Sequence, residues 1–230
     1  MTSVAIIPAR GGSKRIPRKN VIPIKGIPMI GYAILAAQES GLFEKIIVST
    51  DDVEISTIAK SFGAEIPRFR SSELSNDYAT TNDVLADAVS STWLGESKPE
   101  YVCCIYATTP LLNAAHLIES FRIIQDEAAD YVFPAAPFPH NVERGFKLRE
   151  DNGLQMLFPE HFSTRTQDLQ PTYHDVGQFY WGKTEAWANR KPIFSTASRI
   201  MKVDDSEFVD IDYLSDLEKV AEILESRIGR

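Results

Sequence analysis

Residues 4–9 are apolar throughout and lead straight into Gly11 and Gly12, the pattern of a strand buried on both faces that breaks into a loop. Residues 28–38 then place Ile30, Ala33, Ile34 and Ala37 at helical spacing, with Gly41 beyond them as a stop signal. The alternation continues. Residues 45–49 read as a strand, 53–62 as a helix, 65–67 as a short extended piece, 82–93 as a helix, 101–106 as a buried strand, 114–127 as a helix and 131–135 as a further strand.

Strands alternating with helices of ten to fifteen residues imply an α/β fold: a three-layer, mostly parallel, Rossmann-like sheet covered on both faces. Ligands of such sheets sit beyond the carboxyl ends of the strands. Segments 10–20, 50–52 and 107–110 and the stretch after residue 135 therefore carry the functional expectation.

From about 137 to 170 the alternation lapses. Residues 146–148 and 154–158 flank Asp151-Asn152-Gly153, a hairpin whose turn residues tolerate positive φ. An isolated hairpin is marginal in water, so this arm is expected to pack on something else, such as a second subunit. The core pattern resumes with a strand at 177–181 and a short helix at 183–188. It closes with a helix over 213–228 that carries Leu214, Leu217, Val220, Ala221 and Leu224 on one face. The 230 residues read as one domain with an inserted arm.

The net charge of −8 argues against a nucleic-acid partner, since such proteins neutralise phosphates with clustered Lys and Arg. The basic residues are unevenly placed, with Arg10, Lys14, Arg15, Arg18, Lys19 and Lys25 crowding the first segment. A basic loop on an acidic chain suits a small anionic ligand. The start of the chain carries neither a signal-peptide apolar region nor a membrane-length stretch, so a cytoplasmic location without a membrane partner is expected. Cys103 and Cys104 are adjacent in an apolar run, where neighbours point to opposite faces, and read as reduced core residues.

Three constellations carry chemistry. Ile7-Pro8-Ala9-Arg10-Gly11-Gly12-Ser13-Lys14 through Lys19-Asn20 combines glycines, whose backbone N–H groups can approach phosphate oxygens, with cationic side chains. Walker A and dinucleotide spacings are both absent. Composition alone leaves a solvated basic turn equally open. Val209-Asp210-Ile211-Asp212 puts two carboxylates at alternate positions, facing one side about 7 Å apart if extended, as a hard cation requires. Alone, the pair reads equally as caps or solvated turn residues before a helix. Ile47 to Asp52 runs from a strand into a helix start, where one of Asp51 and Asp52 serves as the N-cap, and Arg70 stands before the polar stretch 73–77.

Taken in order, these segments resemble the CMP-sialate synthetase family, the cytidylyltransferases that activate nonulosonic acids. The resemblance rests on the Ile-Pro-Ala-Arg-Gly-Gly-Ser-Lys opening with Lys19-Asn20, on 47–51, on 70–77 and on Asp210-Ile211-Asp212. Residues 103–108, 158–162, 164–168, 173–175 and 177–181 resemble the branch that acts on pseudaminic acid. Sialate enzymes carry Gln-Pro-Thr-Ser-Pro where this chain has Tyr106-Ala107-Thr108-Thr109-Pro110, which moves the expected sugar away from N-acetylneuraminate.

The resemblance implies a nucleotidyltransferase sheet, CTP as co-substrate, Mg²⁺ as cofactor, and a homodimer built through the arm. By motif, Arg10, Gly11, Ser13, Lys14 and Lys19 hold the triphosphate, and Asn20, Arg70, Ala79 and Thr81 surround cytosine and ribose. Asp210 and Asp212 ligate the metal, with Arg10, Lys19 and Asp212 the residues on which turnover depends. Thr108, His174, Gln178 and Tyr180 line the sugar pocket, and Arg165 in the arm is expected to meet the sugar carboxylate. Among the histidines, His116 is expected at the surface and His140 in a loop, while a sugar-binding or proton-transfer role and a structural one both stay open for His161 and His174. Other readings share parts of the pattern: a cytidylyltransferase for legionaminate, neuraminate or KDO, a non-catalytic nucleotide-binding protein of the same fold, and a glycosyltransferase using a finished nucleotide-sugar.

Overall fold

A computed structural model of the chain describes residues 2–94 and 98–228. Strand β1 (Ser3–Pro8) is followed by a two-residue hairpin, β2 (Pro23–Ile24) and β3 (Ile27–Pro28), and by helix α1 (Met29–Ser40). Next come β4 (Lys45–Ser49), α2 (Val53–Ser61), α3 (Thr81–Ser90), β5 (Tyr101–Ile105), α4 (Ala114–Asp126) and β6 (Tyr131–Pro137). The arm holds β7 (Phe146–Leu148) and β8 (Leu154–Met156). The chain closes with β9 (Tyr173–Asp175), β10 (Phe179–Lys183), α5 (Thr184–Ala188), β11 (Ser198–Lys202) and α6 (Leu214–Ile228).

The main sheet runs β11-β6-β10-β5-β1-β4, with β9 added to β6. Strand β1 pairs in parallel with β4 and β5, and β11 in parallel with β6, whereas β10 lies antiparallel between β5 and β6 and β9 is antiparallel to β6. Alternation along the strands builds the three layers. Ala5, Ile7 and Cys103 face a core formed with Ile30 and Ile34 of α1, Ala59 of α2 and Leu117 of α4. Val4, Ile6 and Cys104 face the opposite core, formed with Leu85 and Val89 of α3 and Trp187 of α5. The adjacent cysteines therefore belong to different cores as free buried thiols, and burial pushes both thiol pKa values up. The indoles of Trp181 and Trp187 are fully buried and donate to the Leu117 and Val102 carbonyls, both at 3.1 Å, so neither leaves a polar group stranded.

Three sequence expectations need correction. The strand expected at 177–181 lies at 179–183, because Gly177 adopts φ 62° and its N–H donates to Asp175 Oδ1 at 3.0 Å, making a turn where extended backbone was expected. The short strand β9 before that turn lies outside the strands expected from the sequence. The helix expected to reach residue 93 stops at Ser90, because the Ser91 hydroxyl donates to the Ala88 carbonyl and accepts the Trp93 N–H, turning the chain into a short 3-10 segment.

The arm hairpin forms as expected, with Phe146 opposite Met156 and Asn152 at φ 61° in the turn. Its Leu148, Leu154 and Phe162 are each at least 65% exposed, a concentration of apolar surface that the rest of the described chain leaves uncovered. Among the described residues no helix is long and apolar enough to cross a membrane.

Candidate functional site

The loop behind β1 is clamped from below by the start of α2. The Gly11 N–H donates to Asp51 Oδ1 at 2.9 Å, while Asp52 caps α2 by accepting the Ile55 N–H at 2.9 Å. Arg18, at φ 60°, donates to both Asp52 oxygens at 2.5 and 3.0 Å and also to Glu54. That guanidinium holds the Asp52 carboxyl well below its usual range, at about 2. A β-carbon on Gly11 would stand 2.7 Å from Asp52 Oδ2, so the close approach of loop to helix requires glycine there. The Gly11 N–H expected to meet phosphate is thus already committed to Asp51. Above the clamp, Arg10, Ser13, Lys14, Arg15, Lys19 and Asn20 line a pocket of about 440 Å³. Arg10 and Lys14 both pair with Asp77, the former at 2.9 Å, and Asn20 Nδ2 donates to the Arg10 carbonyl at 2.9 Å.

The tail reaches this loop by hydrophobic packing. Ile16 from the loop and Ile211 from the tail are each 1% exposed in a small core with Ile24, Met29, Leu111 and Val220. Burial of side chains of this size is worth roughly 1.5–3 kcal/mol each. With Ile211 turned inward, Asp210 and Asp212 flank it. Asp212 pairs with Arg15, and the Lys19 ammonium donates to the Ile211 carbonyl oxygen. Burial pulls the Lys19 pKa down, opposed by the charges of Asp212 and Asp210. Asp216 satisfies the backbone before α6, accepting the N–H groups of Asp212 and Tyr213 at 3.0 and 2.9 Å. The carboxylates of Asp210 and Asp212 are thereby left to other partners. Two carboxylates beside a cationic pocket suit Mg²⁺, which binds through one or two carboxylates together with phosphate oxygens.

A second pocket of about 200 Å³ shares Pro8 and Arg10 with the first and adds Arg70, Ala79, Thr81 and Tyr106. Arg70 is 7% exposed, and its Nε and Nη2 have no hydrogen-bond partner among the described residues. Burial lowers its pKa, with Asp51 opposing. A buried guanidinium with two idle donors marks a place completed by a ligand.

A third pocket of about 420 Å³ shares Tyr106 with the second and is lined also by Thr108, His174, Asp175, Gln178, Tyr180 and Asp210. The Tyr106 hydroxyl lies 3.0 Å from Thr81 Oγ1, and its ring packs edge-on to Tyr180 at 5.5 Å. Tyr180 donates to Asp175 Oδ2, and Gln178 Nε2 donates to the Glu207 carbonyl at 3.0 Å. The three pockets therefore run on from one another, from a cationic end lined by Arg10, Lys14, Arg15 and Lys19 to a hydroxyl-rich end that carries Asp175 and Asp210. That layout can hold an extended polyanion with an attached ring system beside a polar co-substrate.

Most residues singled out in the sequence converge here: Arg10, Ser13, Lys14, Lys19 and Asn20 in the first pocket, Arg70, Ala79 and Thr81 in the second, and Thr108, His174, Gln178, Tyr180 and Asp210 in the third. Arg165 and His161 do not. Both sit in the arm, Arg165 exposed and His161 with Nδ1 3.4 Å from Thr164 Oγ1, and neither lines these pockets. His116 is not a surface residue: its side chain is 12% exposed and Nε2 lies 3.0 Å from Glu207 Oε1. Arg15, Asp77, Tyr106 and Asp175 are participants that sequence reasoning did not single out. Both Tyr106 and Asp175 fall in segments, 103–108 and 173–175, that the family resemblance had already marked without giving either residue a role.

Residues 4–223 match the family model described as Cytidylyltransferase. The chain is 39% identical over 218 residues to the pseudaminic acid cytidylyltransferase of Campylobacter jejuni subsp. jejuni serotype O:2, covering 95% of this chain and 94% of that protein. It is 31% identical over 218 residues to the N-acylneuraminate cytidylyltransferase of Streptococcus agalactiae serotype V, covering 94% of this chain and 52% of that one. Among solved structures, a CMP:2-keto-3-deoxy-manno-octonic acid synthetase complexed with CTP superimposes with a TM-score of 0.72 at 17% identity, covering 99% of this chain and all of that one. At that identity the likeness speaks to the fold.

Proposed function

This chain belongs to the cytidylyltransferase family, and from that premise we propose that it transfers CMP from CTP to the anomeric hydroxyl of pseudaminic acid, releasing pyrophosphate. The observation that carries the reading is the meeting of loop and tail: Lys19 and Arg15 touch the Asp210–Asp212 segment at the mouth of a cationic pocket. Arg10, Ser13, Lys14 and Lys19 receive the triphosphate. The idle donors of Arg70, with Asn20, Ala79 and Thr81, take the cytosine and ribose. Thr108, His174, Gln178 and Tyr180 receive the sugar, and Tyr106 forms the wall between the two substrates.

Most of the catalysis is positioning and charge neutralisation, because in-line displacement at phosphorus needs little covalent help. Asp210 and Asp212 are the residues that would hold Mg²⁺, which when bound neutralises phosphate charge. Lys19, fixed between them, faces the same charge from the protein side. Among the described residues no Lys or Arg lines the sugar pocket, so the sugar carboxylate requires a cation from elsewhere. We assign Arg165 of a second copy to it, with the apolar arm of residues 137–170 crossing in a homodimer of single-domain subunits. A cytoplasmic location follows from the need for CTP.

The test is pyrophosphate release with CTP and Mg²⁺ across pseudaminic, legionaminic and N-acetylneuraminic acids and KDO. Pseudaminic acid should give a kcat/KM at least about tenfold above the others, the discrimination of one well-placed polar contact. Preference for another acid would correct the substrate, and release with none would reject the activity.

A further inference from the structure

We propose that His174 is the general base of the transfer, its Nε2 taking the proton of the attacking anomeric hydroxyl. The assignment rests on the cytidylyl-transfer reading above. As the anomeric oxygen bonds to the α-phosphorus, the bond from that phosphorus to the α–β bridging oxygen breaks. Its electron pair leaves with pyrophosphate, and the hydroxyl proton ends on Nε2, from which solvent removes it.

The geometry supports this in three ways. His174 Nδ1 lies 3.1 Å from the Asp175 backbone carbonyl, an atom that can only accept, so Nδ1 carries a proton and the neutral ring keeps its lone pair on Nε2. Nε2 has no hydrogen-bond partner among the described residues. The ring is also held in place, packed between Phe138 at 4.9 Å and Phe208 at 5.7 Å, so its direction is fixed before substrate arrives. The strand supplying it, β9, is itself pinned to β6 with His174 opposite Ala136.

The other titratable groups facing this pocket are each disqualified. Asp175 already accepts the Tyr180 hydroxyl on one oxygen and the Gly177 N–H on the other. Asp210, which also lines this pocket, is taken up as one half of the carboxylate pair assigned to Mg²⁺. Tyr106 is pushed up to about 12 by burial, and burial raises Tyr180 as well, so both stay protonated. Glu207, on the turn that carries Phe208, is engaged by His116 and by the Asp204 N–H. Strand β6 offers only Ala136 opposite the histidine.

The experiment measures kcat and KM between about pH 5.5 and 9 for the full chain and for His174→Gln and His174→Ala, with CTP, Mg²⁺ and pseudaminic acid. His174→Gln should lower kcat by about 10²- to 10⁴-fold, the usual contribution of a general base, with the CTP KM within about twofold of the parent. The fall in parent kcat at low pH, where the imidazole is protonated, should vanish in the variant. Added imidazole should restore His174→Ala in proportion to its concentration. A kcat within about threefold of the parent, or a loss confined to the sugar KM with the low-pH fall intact, would overturn the assignment and leave His174 a positioning residue. Circular dichroism and CTP affinity show that each variant folds; if Gln disrupts the pocket, imidazole rescue of Ala decides. Absence of pyrophosphate release by the parent rejects the activity itself, whereas release by the parent with an undiminished variant rejects only this role.

Discussion

The Lys19 ammonium donates a hydrogen bond to the Ile211 carbonyl oxygen, joining the loop behind β1 to the segment before α6 across 192 positions of sequence. One cation is thereby fixed between two carboxylates and at the edge of the cationic pocket. Lys19→Ala should lower kcat/KM for CTP by about 10²- to 10³-fold, the cost of losing one preorganised charge at a reacting phosphate. Steady-state kinetics with circular dichroism check it, and near-normal turnover in a folded variant would contradict the role.

Asp212 is reached by Arg15 while its own N–H is satisfied by Asp216, so its carboxylate can change partners without disturbing α6. Asp212→Asn should leave the melting temperature nearly unchanged and cut turnover by at least about 10²-fold. The Mg²⁺ concentration giving half-maximal activity should rise. An unaltered metal dependence would move the cation elsewhere.

Arg70 is a buried cation with idle donors, and such groups are destabilising until a partner arrives. Arg70→Met should therefore hold or raise the melting temperature without ligand. It should raise the CTP KM at least about tenfold, as expected for loss of a charge-assisted hydrogen bond worth about 1.5–3 kcal/mol. Thermal shifts with and without CTP measure both effects together, and equal stabilisation of both proteins by CTP would contradict the assignment.

Asp52 couples the clamp under the loop to pH. Its folded pKa of about 2 lies below the ordinary 3.8, so the stability it contributes is complete above pH 4 and lost as pH falls toward 2. Asp52→Asn keeps a capping oxygen but loses the ion pair with Arg18. The variant should melt a few degrees lower at pH 7, for a loss of about 1–2 kcal/mol, and the gap should close near pH 2. A gap independent of pH would exclude the ion pair as its source.

The sheet was legible because strands such as 101–105, apolar at every position, cannot be half-exposed, and because helices such as α1 repeat their apolar residues at one period. The antiparallel entry of β10 was not legible, since a buried strand carries no mark of its direction. Strand β9 was missed because Tyr173-His174-Asp175 is polar and short, and it forms by pairing with β6 instead of by burying a face. Within the site, Arg10, Lys14 and Lys19 stood out by charge and glycine context. Asp77 did not, because nothing in a run of polar residues shows that it bridges Arg10 and Lys14 from 60 or more positions away. Tyr106 was hidden by its neighbours: at the end of an apolar strand an aromatic residue reads as core, and only its hydrogen bond to Thr81 reveals a surface between two pockets.

The small core of Ile16 and Ile211 also dictates an order of events during synthesis. The loop behind β1 leaves the ribosome first and Asp210 and Asp212 much later, so a nascent chain can complete the sheet through β11 while Ile16 still lacks Ile211 and Val220. The cationic pocket and the two carboxylates thus come together in a late step, when the segment after β11 folds back onto the loop behind β1.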